Sequence, residues 1–472
     1  MTDTVTNTNE QHEAKLAPLG VGVLGVSEAS LLVVLGAAES GIGAAILGKQ
    51  KGYDVFVSDG GTIKDKYKQE LIDNGIAFEE GGHTVEKVLS ADEVVKSPGI
   101  PEKNELVKKI RAKGIPVISE IELAYRYKGD SKIIAITGSN GKSTTTTMVY
   151  HMCKVGGLDC ALVGNIGYSF AKQVAEDPKP LYVAEISSFQ LDDIKTFRPN
   201  VAILMNITED HLDRYDYKFE NYIKSKFRIV ENQQPEDYFI YCDDDEVITG
   251  HLKTIHLLSN PIPFSMKHEI NNGAYIKNDQ MMIKALNERI TMSIFDFTVK
   301  EKHNQYNNMA AALGSIAVGV RKEKIREAVT TYVGLEHRME NVATVRGVRF
   351  INDSKATNVN STWSALDSMY QPVILILGGI DKGNDYEVLY EFLDKIKAIV
   401  CMGLDNAKIH EAFEGKISVI VDTKSAKEAV MESYNLSEQG DAVLLSPACA
   451  SFDLFNNYED RGRQFKDAVK DL

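Results

Sequence analysis

The chain has no cysteine pair of the CxxC kind. Its five cysteines, Cys153, Cys160, Cys242, Cys401 and Cys449, are odd in number and widely spaced. That excludes a disulfide scaffold and points to a reducing compartment, the cytoplasm. Ten histidines are scattered with no HExxH among them, so that zinc-protease pattern is missing. Positive charge is not in excess either. A formal net charge of -14 disfavours a nucleic-acid backbone as partner, though not a small nucleotide, which needs only a local cluster of donors. The opening MTDTVTNTNEQHEAK has no basic n-region and does not read as a secretory signal. The apolar stretch LAPLGVGVLGVSEASLLVVLGAA carries Glu28 and many glycines, which argues against a membrane span.

What remains is an ordinary soluble composition, 43% hydrophobic and 25% charged over 472 residues, enough for two to four domains. Apolar runs ending in glycine or a polar residue alternate with helical stretches. LLVVLG, YDVFVSD, VVKSPGI and IPVIS read as strands of a first parallel α/β unit, with YRYKGDSK (125–132) as a linker. KIIAITG, LYVAEISSF and NVAILMNI are strands of a second unit, whose segment 236–300 reads as an antiparallel patch. GVRFIND, PVILILGG, AIVCMG, ISVIV and DAVLLSP form a third.

The sharpest local signal is IAITGSNGKSTTTT (134–147), a strand, a tight turn and a helix. Such a turn aims backbone N–H groups at a triphosphate; Lys142 reaches its outer oxygens and Ser143 or Thr144 holds Mg²⁺. The strict GxxxxGK[ST] pattern asks for glycine where Ile136 stands, so the signal lies in the whole TGSNGKST rather than in the lysine alone. Glu185 and the pair Asp210–His211 follow strands, where open sheets bind ligands, and their donors suit Mg²⁺ or Mn²⁺. A helix cap or a salt bridge explains Glu185 equally well by itself, and an ordinary N-terminal-turn residue explains His211 at least as well. LGAAESGIG is a loose dinucleotide-type loop, with Ala38 where GxGxxG needs glycine.

TGSNGKST, GNIG (164–167), EISSFQL (185–191), NITEDHLDRY (206–215), HNxxN (303–307) and LEHRME (335–340) follow one another in order. Together they resemble the ATP-dependent Mur ligases of peptidoglycan synthesis, with folylpolyglutamate synthetase a more distant relative. NDSKATN (352–358), GGIDKG (378–383) and LSPACASFDLFNNYEDRGRQF (445–465) are similar to the D-glutamate-adding branch of that family. The resemblance spans about 31 to 470. It implies an α/β fold of three domains: a Rossmann-like unit over 31–128 for the UDP precursor, a central P-loop-type ATPase domain over 129–333, and a Rossmann-like C-terminal domain over 334–472 for the amino acid. Residues 1–30 form an extension outside the family pattern. The implied substrates are UDP-N-acetylmuramoyl-L-alanine and D-glutamate. The implied cofactors are ATP and two Mg²⁺ ions, with Mn²⁺ as an alternative, and the implied state is a monomer without nucleic-acid or membrane partners. The precursor carboxylate would take the γ-phosphoryl group, and the amine of D-glutamate would displace phosphate from the acyl phosphate.

Carried over position by position, the resemblance assigns the nucleotide to Gly138, Ser139, Asn140, Gly141, Lys142, Ser143 and Thr144, to Asn304 and Asn307 on the adenine side, and to Arg338 and Asp353. Ser143, Glu185, His211 and Lys226 match metal-site positions, and Lys142, His211 and Lys226 are the implied catalytic groups. Substrate contacts fall on Glu39, Ser40, Gly41, Asp59, Ser97, Gly99, Asn165, Ser187, Lys355, Thr357, Lys382, Ser446 and Phe452. Helical spacing puts Tyr222, Lys226 and Val230 on one stripe, where a lone lysine ordinarily snorkels or pairs with an acid; the resemblance implies instead that Lys226 is carbamylated. Gly334, between TTYV and LEHRME, is the expected hinge of a closing third domain. Three rivals stay open. Another Mur-type or folylpolyglutamate-type ligase would carry a different third-domain loop, such as a DNPR type, which is missing here. A hydrolase would have no need of LEHRME and DSKATN, and a non-catalytic scaffold would show a damaged site.

Overall fold

The computed structural model describes residues 29–299, 302–381 and 383–472. The expected extension thus lies outside the described residues except for Ala29 and Ser30, and Lys382 lies outside them too.

Three sheets follow one another along the chain. The first has β1 (Leu31–Leu35), β2 (Asp54–Ser58), β3 (Ala77–Glu79), β4 (Glu93–Lys96) and β5 (Val117–Ile118) in the order β3-β2-β1-β4-β5, all parallel. Covered on both faces, such strands are nearly continuous apolar runs, as LLVVL and DVFVS are. The second sheet has β6 (Lys132–Thr137), β7 (Cys160–Gly164), β8 (Leu181–Glu185), β9 (Val201–Leu204), β10 (Tyr238–Cys242), β11 (Asn260–Ser265), β12 (Gly273–Lys277), β13 (Gln280–Ala285) and β14 (Glu288–Ser293). Their order is β14-β13-β12-β11-β10-β9-β6-β8-β7. Strand β6 therefore sits where the strand order reverses, the place at which open sheets leave a crevice for ligands.

The antiparallel patch expected over 236–300 is smaller than that. Strands β10 and β11 continue the parallel sheet, and only β12–β13–β14 run antiparallel. The expected linker at 125–132 also shrinks, because the helix Glu120–Tyr127 occupies its first three residues.

The third sheet has β15 (Glu340–Val345), β16 (Val348–Asn352), β17 (Val373–Leu377), β18 (Ile396–Met402), β19 (Ile420–Thr423) and β20 (Ala442–Leu445), in the order β15-β16-β20-β17-β18-β19. All are parallel except β15, which pairs antiparallel with β16.

The first two sheets share one apolar core, while the third has clusters of its own on its two faces. Between the first two, the helix Glu39–Gln50 packs on the helix Phe170–Glu176. Gly43 permits the approach, since a Cβ there would lie 1.9 Å from Ser169 Oγ. Buried charges complete the seam. Glu122 accepts from the backbone N–H groups of Lys195, Thr196 and Phe197, each at 2.9 Å, and Lys96 meets Asp193 at 3.1 Å with both side chains buried. Buried ions persist only when partnered this fully. No helix of the described residues is long and apolar enough to cross a membrane.

Candidate active site

Strand β6 ends at Thr137, and after four intervening residues the helix Lys142–Val155 begins. Gly141 is its N-cap at φ 78°, a left-handed conformation that glycine adopts at least cost. A Cβ there would also lie 2.7 Å from Asn307 Oδ1. No side chain caps this helix, so its first-turn N–H groups and the positive end of its dipole are left for an anion. The loop is laced to the segment after β9. Ser139 N donates to Asn206 O at 3.0 Å and Asn140 N to Asn206 Oδ1 at 2.8 Å. Thr208 N donates to Ser139 Oγ at 3.0 Å. These bonds hold the cradle from within the chain.

Cations crowd this loop. Lys142 Nζ donates to Gly138 O (2.7 Å) and Ser139 O (2.9 Å). Lys226, from the helix Phe219–Phe227, donates to the same Gly138 carbonyl at 2.8 Å and lies 4.5 Å from the Tyr222 ring centroid. It is 1% exposed and forms no ion pair with a carboxylate of the described residues, so the snorkelling expected of a lone lysine does not occur. Burial, then repulsion from Lys142, push its ammonium well below the ordinary lysine range, against the pull of Asp210 and Asp192. Burial lowers Lys142 as well; Glu185 opposes the shift and Arg338 adds to it. Lys355, 2.8 Å from Tyr458 Oη, is brought down to about 8 by burial and by Arg338. Arg338 itself donates from Nη2 to Ser143 Oγ at 2.9 Å. Three lysines here hold their protons less tightly than free lysines do, and a nearby anion reverses such a shift.

Glu185 ends β8 and is buried. Its Oε1 accepts from Asn165 Nδ2 at 2.7 Å, while Oε2 is buried with no hydrogen-bond partner among the described residues. An orphaned carboxylate oxygen beside a phosphate loop fits a divalent cation. His211 stands differently. It is half exposed, adopts φ 52° and lies 3.6 Å from Asp210. Neither Glu185 nor His211 belongs to a group of three or more metal-ligating His, Cys, Asp or Glu side chains. The described residues hold two such groups, Cys401–His410–Asp422 and Glu336–His337–Glu340.

A cavity of about 380 Å³ opens between the central and third sheets. Asn140, Gly141, Asn304 and Asn307 line one wall, and Arg338, Asp353 and Lys355 the other. Asn307 Nδ2 donates to Asn304 Oδ1 at 2.9 Å. Asp353 accepts from Ser446 Oγ (2.8 Å) and Met339 N (3.2 Å), and burial raises its carboxyl to about 7. His337 and Met339, on either side of Arg338, have φ of 65° and 45°, whereas Gly334 has no left-handed φ. Backbone strain is thus stored around the arginine and not at the expected glycine hinge.

Other predicted residues are placed less directly. Ser187 caps the helix Ser188–Leu191 in a reciprocal box with Gln190. Ser446 is fully buried with its hydroxyl on Asp353, Phe452 is 67% exposed, and neither lines the cavity. Thr357 is half-buried in the loop before the helix Val359–Asp367. In the first unit Glu39 and Ser40 open the helix Glu39–Gln50, and Gly41 is pressed on Gly36 O, 1.9 Å from where its Cβ would be. Asp59 accepts from Ala37 N (2.7 Å) and Gly61 N (2.8 Å). Ser97 Oγ lies 3.5 Å from Gly36 O, and Gly99 O takes a 3.4 Å bond from Arg214.

Sequence reasoning missed Asn206, Arg214, Tyr458 and Arg461. Arg461 is 1% exposed and donates to Ser354 O (2.9 Å) and Cys449 O (3.1 Å), tying together the loops after β16 and β20. All four lie inside quoted motifs, but nothing in the local pattern separates them from their neighbours.

Family models described as Mur ligase middle domain, Mur ligase, glutamate ligase domain, and MurD N-terminal domain match residues 136–314, 337–449 and 29–106. A UDP-N-acetylmuramoylalanine–D-glutamate ligase of Christiangramia forsetii is 53% identical over 93% of this chain and 99% of its own. One of Bacteroides fragilis is 52% identical over 93% and 99%, and one of Salinibacter ruber 38% over 93% and 97%. Among solved structures, a pseudomurein peptide ligase type C of Methanothermus fervidus superposes with a TM-score of 0.60 at 17% identity, covering 94% of this chain and 99% of that one. A UDP-N-acetylmuramate-alanine ligase of Thermotoga maritima gives the same values. At that identity these likenesses bear on the fold alone.

Proposed function

The chain belongs to the Mur ligase family, and from that premise we propose that it joins D-glutamate to UDP-N-acetylmuramoyl-L-alanine at the expense of ATP, in peptidoglycan synthesis. The observation that carries the chemistry is the gathering of Lys142, Lys226, Arg338 and Lys355 around an uncapped helix N-terminus, beside the unpartnered Glu185 Oε2. Such a place suits a triphosphate with its metal, and a second anion drawn up to it. Close relatives that carry the D-glutamate ligase name support the substrate assignment.

In this reading the L-alanyl carboxylate attacks the γ-phosphorus and ADP leaves. The amine of D-glutamate then attacks the acyl phosphate, and the tetrahedral adduct expels phosphate to give the amide. Lys142 and the first-turn N–H groups hold the phosphoryl oxygens as charge shifts among them. Arg338 brings the third unit onto the loop and adds a cation. Asn304 and Asn307 face the adenine end, and Asp353 the ribose. Ser143 and Glu185 would hold one Mg²⁺, and His211 with a carbamylated Lys226 a second; when bound, the ions offset negative charge on the phosphates. A buried lysine without an acid, easily deprotonated, is the amine that takes up CO₂, and the carbamate would replace a repelling ammonium by an anion. Water is kept from the acyl phosphate by the walls of the cavity between the two units.

We further propose boundaries near 128/129 and 333/334, with the precursor's UDP end in the first unit and the amino acid in the third, in a monomer. Five cysteines that are all free and buried support a cytoplasmic setting. The test is phosphate release with ATP, Mg²⁺ and the UDP-linked monopeptide, one amino acid being supplied at a time. D-glutamate is expected to be required. Equal rates with L-glutamate or a diamino acid overturn the substrate assignment.

A further inference from the structure

The first unit carries a cavity of about 250 Å³ at the carboxyl ends of β1 and β2. Leu35, Ile100 and Leu106 supply apolar walls, and Asp59, His83 and Asn104 supply polar groups.

Hydrogen-bond logic decides what His83 and Asn104 present there. Ser58 Oγ lies 2.6 Å from Glu79 Oε1 and 2.7 Å from His83 Nδ1. Glu79 also accepts from Thr84 N (2.8 Å) and Thr84 Oγ1 (2.6 Å). Burial works to raise its carboxyl, but the bonds from Ser58 and Thr84 hold it below the usual range, so it is an ionised acceptor. A hydroxyl has a single proton to give. Ser58 gives it to Glu79 and must therefore accept from His83 Nδ1–H. In the neutral imidazole, Nε2 is then a bare acceptor. Nε2 has no hydrogen-bond partner among the described residues, and Gly60 leaves it uncovered; a Cβ there would lie 3.0 Å away. Asn104 is oriented by the same reasoning. Its Oδ1 caps the helix Glu105–Ala112, accepting from Leu106 N (2.9 Å) and Val107 N (3.4 Å), so its NH₂ is the end free to donate.

We infer that His83 Nε2 accepts the imide N–H of a uracil ring in this cavity, which makes His83 the residue that tells uracil from cytosine at the nucleotide end of the precursor. The inference rests on the proposed placement of the UDP end in the first unit. Uracil presents N–H at N3 between two carbonyls, whereas cytosine presents a lone pair at N3. A bare ring nitrogen attracts the first and repels the second, and the Asn104 NH₂ matches a carbonyl beside the N–H. Each oxygen of Asp59 accepts one backbone N–H, whereas Nε2 of His83 accepts none from the described residues. A site built to bond a substrate N–H discriminates strongly against an analogue without it.

The test is calorimetric titration of the full chain with UDP, N3-methyl-UDP and CDP. The wild-type chain is expected to bind UDP at least about tenfold more tightly than either analogue, the effect of one buried polar group left unpaired. His83→Ala should bring the ratios near one by weakening UDP, and His83→Gln, whose amide oxygen can accept, should restore part of them. Gly60→Ala covers Nε2 without disturbing the Ser58 bond and should act like His83→Ala, which serves if that variant unfolds. Unchanged ratios in His83→Ala or Gly60→Ala overturn the role of His83 while leaving the UDP site standing. A wild-type chain that does not bind UDP overturns the placement of the nucleotide end, and this inference with it.

Discussion

Glu120→Gln should stabilise the protein at pH 8 and not at pH 5. Glu120 opens the helix Glu120–Tyr127 at the seam of the first two units and is 3% exposed. Burial lifts its carboxyl to about 7 from an ordinary 4.5, and the charge on Glu39 adds to the effect, while bonds from Ala171, Ser169 and Phe170 oppose it. Holding it ionised in place therefore costs about 3 kcal/mol, at 1.36 kcal/mol for each pH unit. The sign follows from proton counting. Between pH 4.5 and 7 the folded state keeps a proton that the unfolded state has released, so stability falls as pH rises through that window and is level above it. In the variant, the amide oxygen can still accept from Ser169 Oγ and Ala171 N, both of which bond to Oε1 at 2.6 Å. Its NH₂ cannot replace the acceptor that the second carboxyl oxygen offers, a loss of about 1 kcal/mol. The net expectation is a gain of about 2 kcal/mol at pH 8 that shrinks, and reverses to a loss of about 1 kcal/mol, as pH falls through the window. Urea unfolding of both proteins from pH 5 to 8 would measure it. Circular dichroism is the better probe, because the one tryptophan, Trp363, lies in the third unit. A difference equal at pH 5 and pH 8 refutes the reasoning.

Lys142→Ala should lower kcat by at least about a thousandfold, since it removes a cation from phosphate whose charge is shifting; UDP affinity should stay the same, and calorimetry that shows both ligands lost together contradicts the division between units. Lys226 should give a carbamate signal in ¹³C NMR after incubation with labelled bicarbonate; Lys226→Ala should lack the signal, be nearly inactive and recover part of its activity in excess acetate, whereas Lys226→Arg should recover none. Arg338→Ala should lose about a hundredfold or more in kcat with little change in melting temperature; a large thermal shift with unchanged kcat would make its bond to Ser143 structural.

Most buried parallel strands were legible because they are short continuous apolar runs, as in LLVVL, VILIL and AVLL, although β7, CALVG, went unread. The three residues of β3 and the half-exposed edge strand β15 carry no such run and went unread. Strands β10 and β11 were misassigned because direction depends on partners: β10 pairs with β9, some forty residues earlier, and no local pattern reports a crossover. The phosphate loop was legible for the opposite reason, since strand, turn and helix are contiguous and glycine marks the turn.

By itself, then, the residue order determined the alternation of strand and helix, the phosphate loop and the motifs that carry the family resemblance. Only the tertiary structure decided which charges meet there. Lys226 and Lys142 share one carbonyl across 84 positions of chain, and Arg338 reaches Ser143 across 195. Whether a lysine is buried without an acid, or a glutamate oxygen left without a donor, depends on neighbours that folding brings together. Ser446 and Phe452 show the same dependence: they lie six residues apart in one motif, yet one is sealed against Asp353 and the other faces solvent. Local sequence sets backbone preference and apolar periodicity, whereas proton affinity, desolvation and the geometry of a site are properties of the packed surroundings.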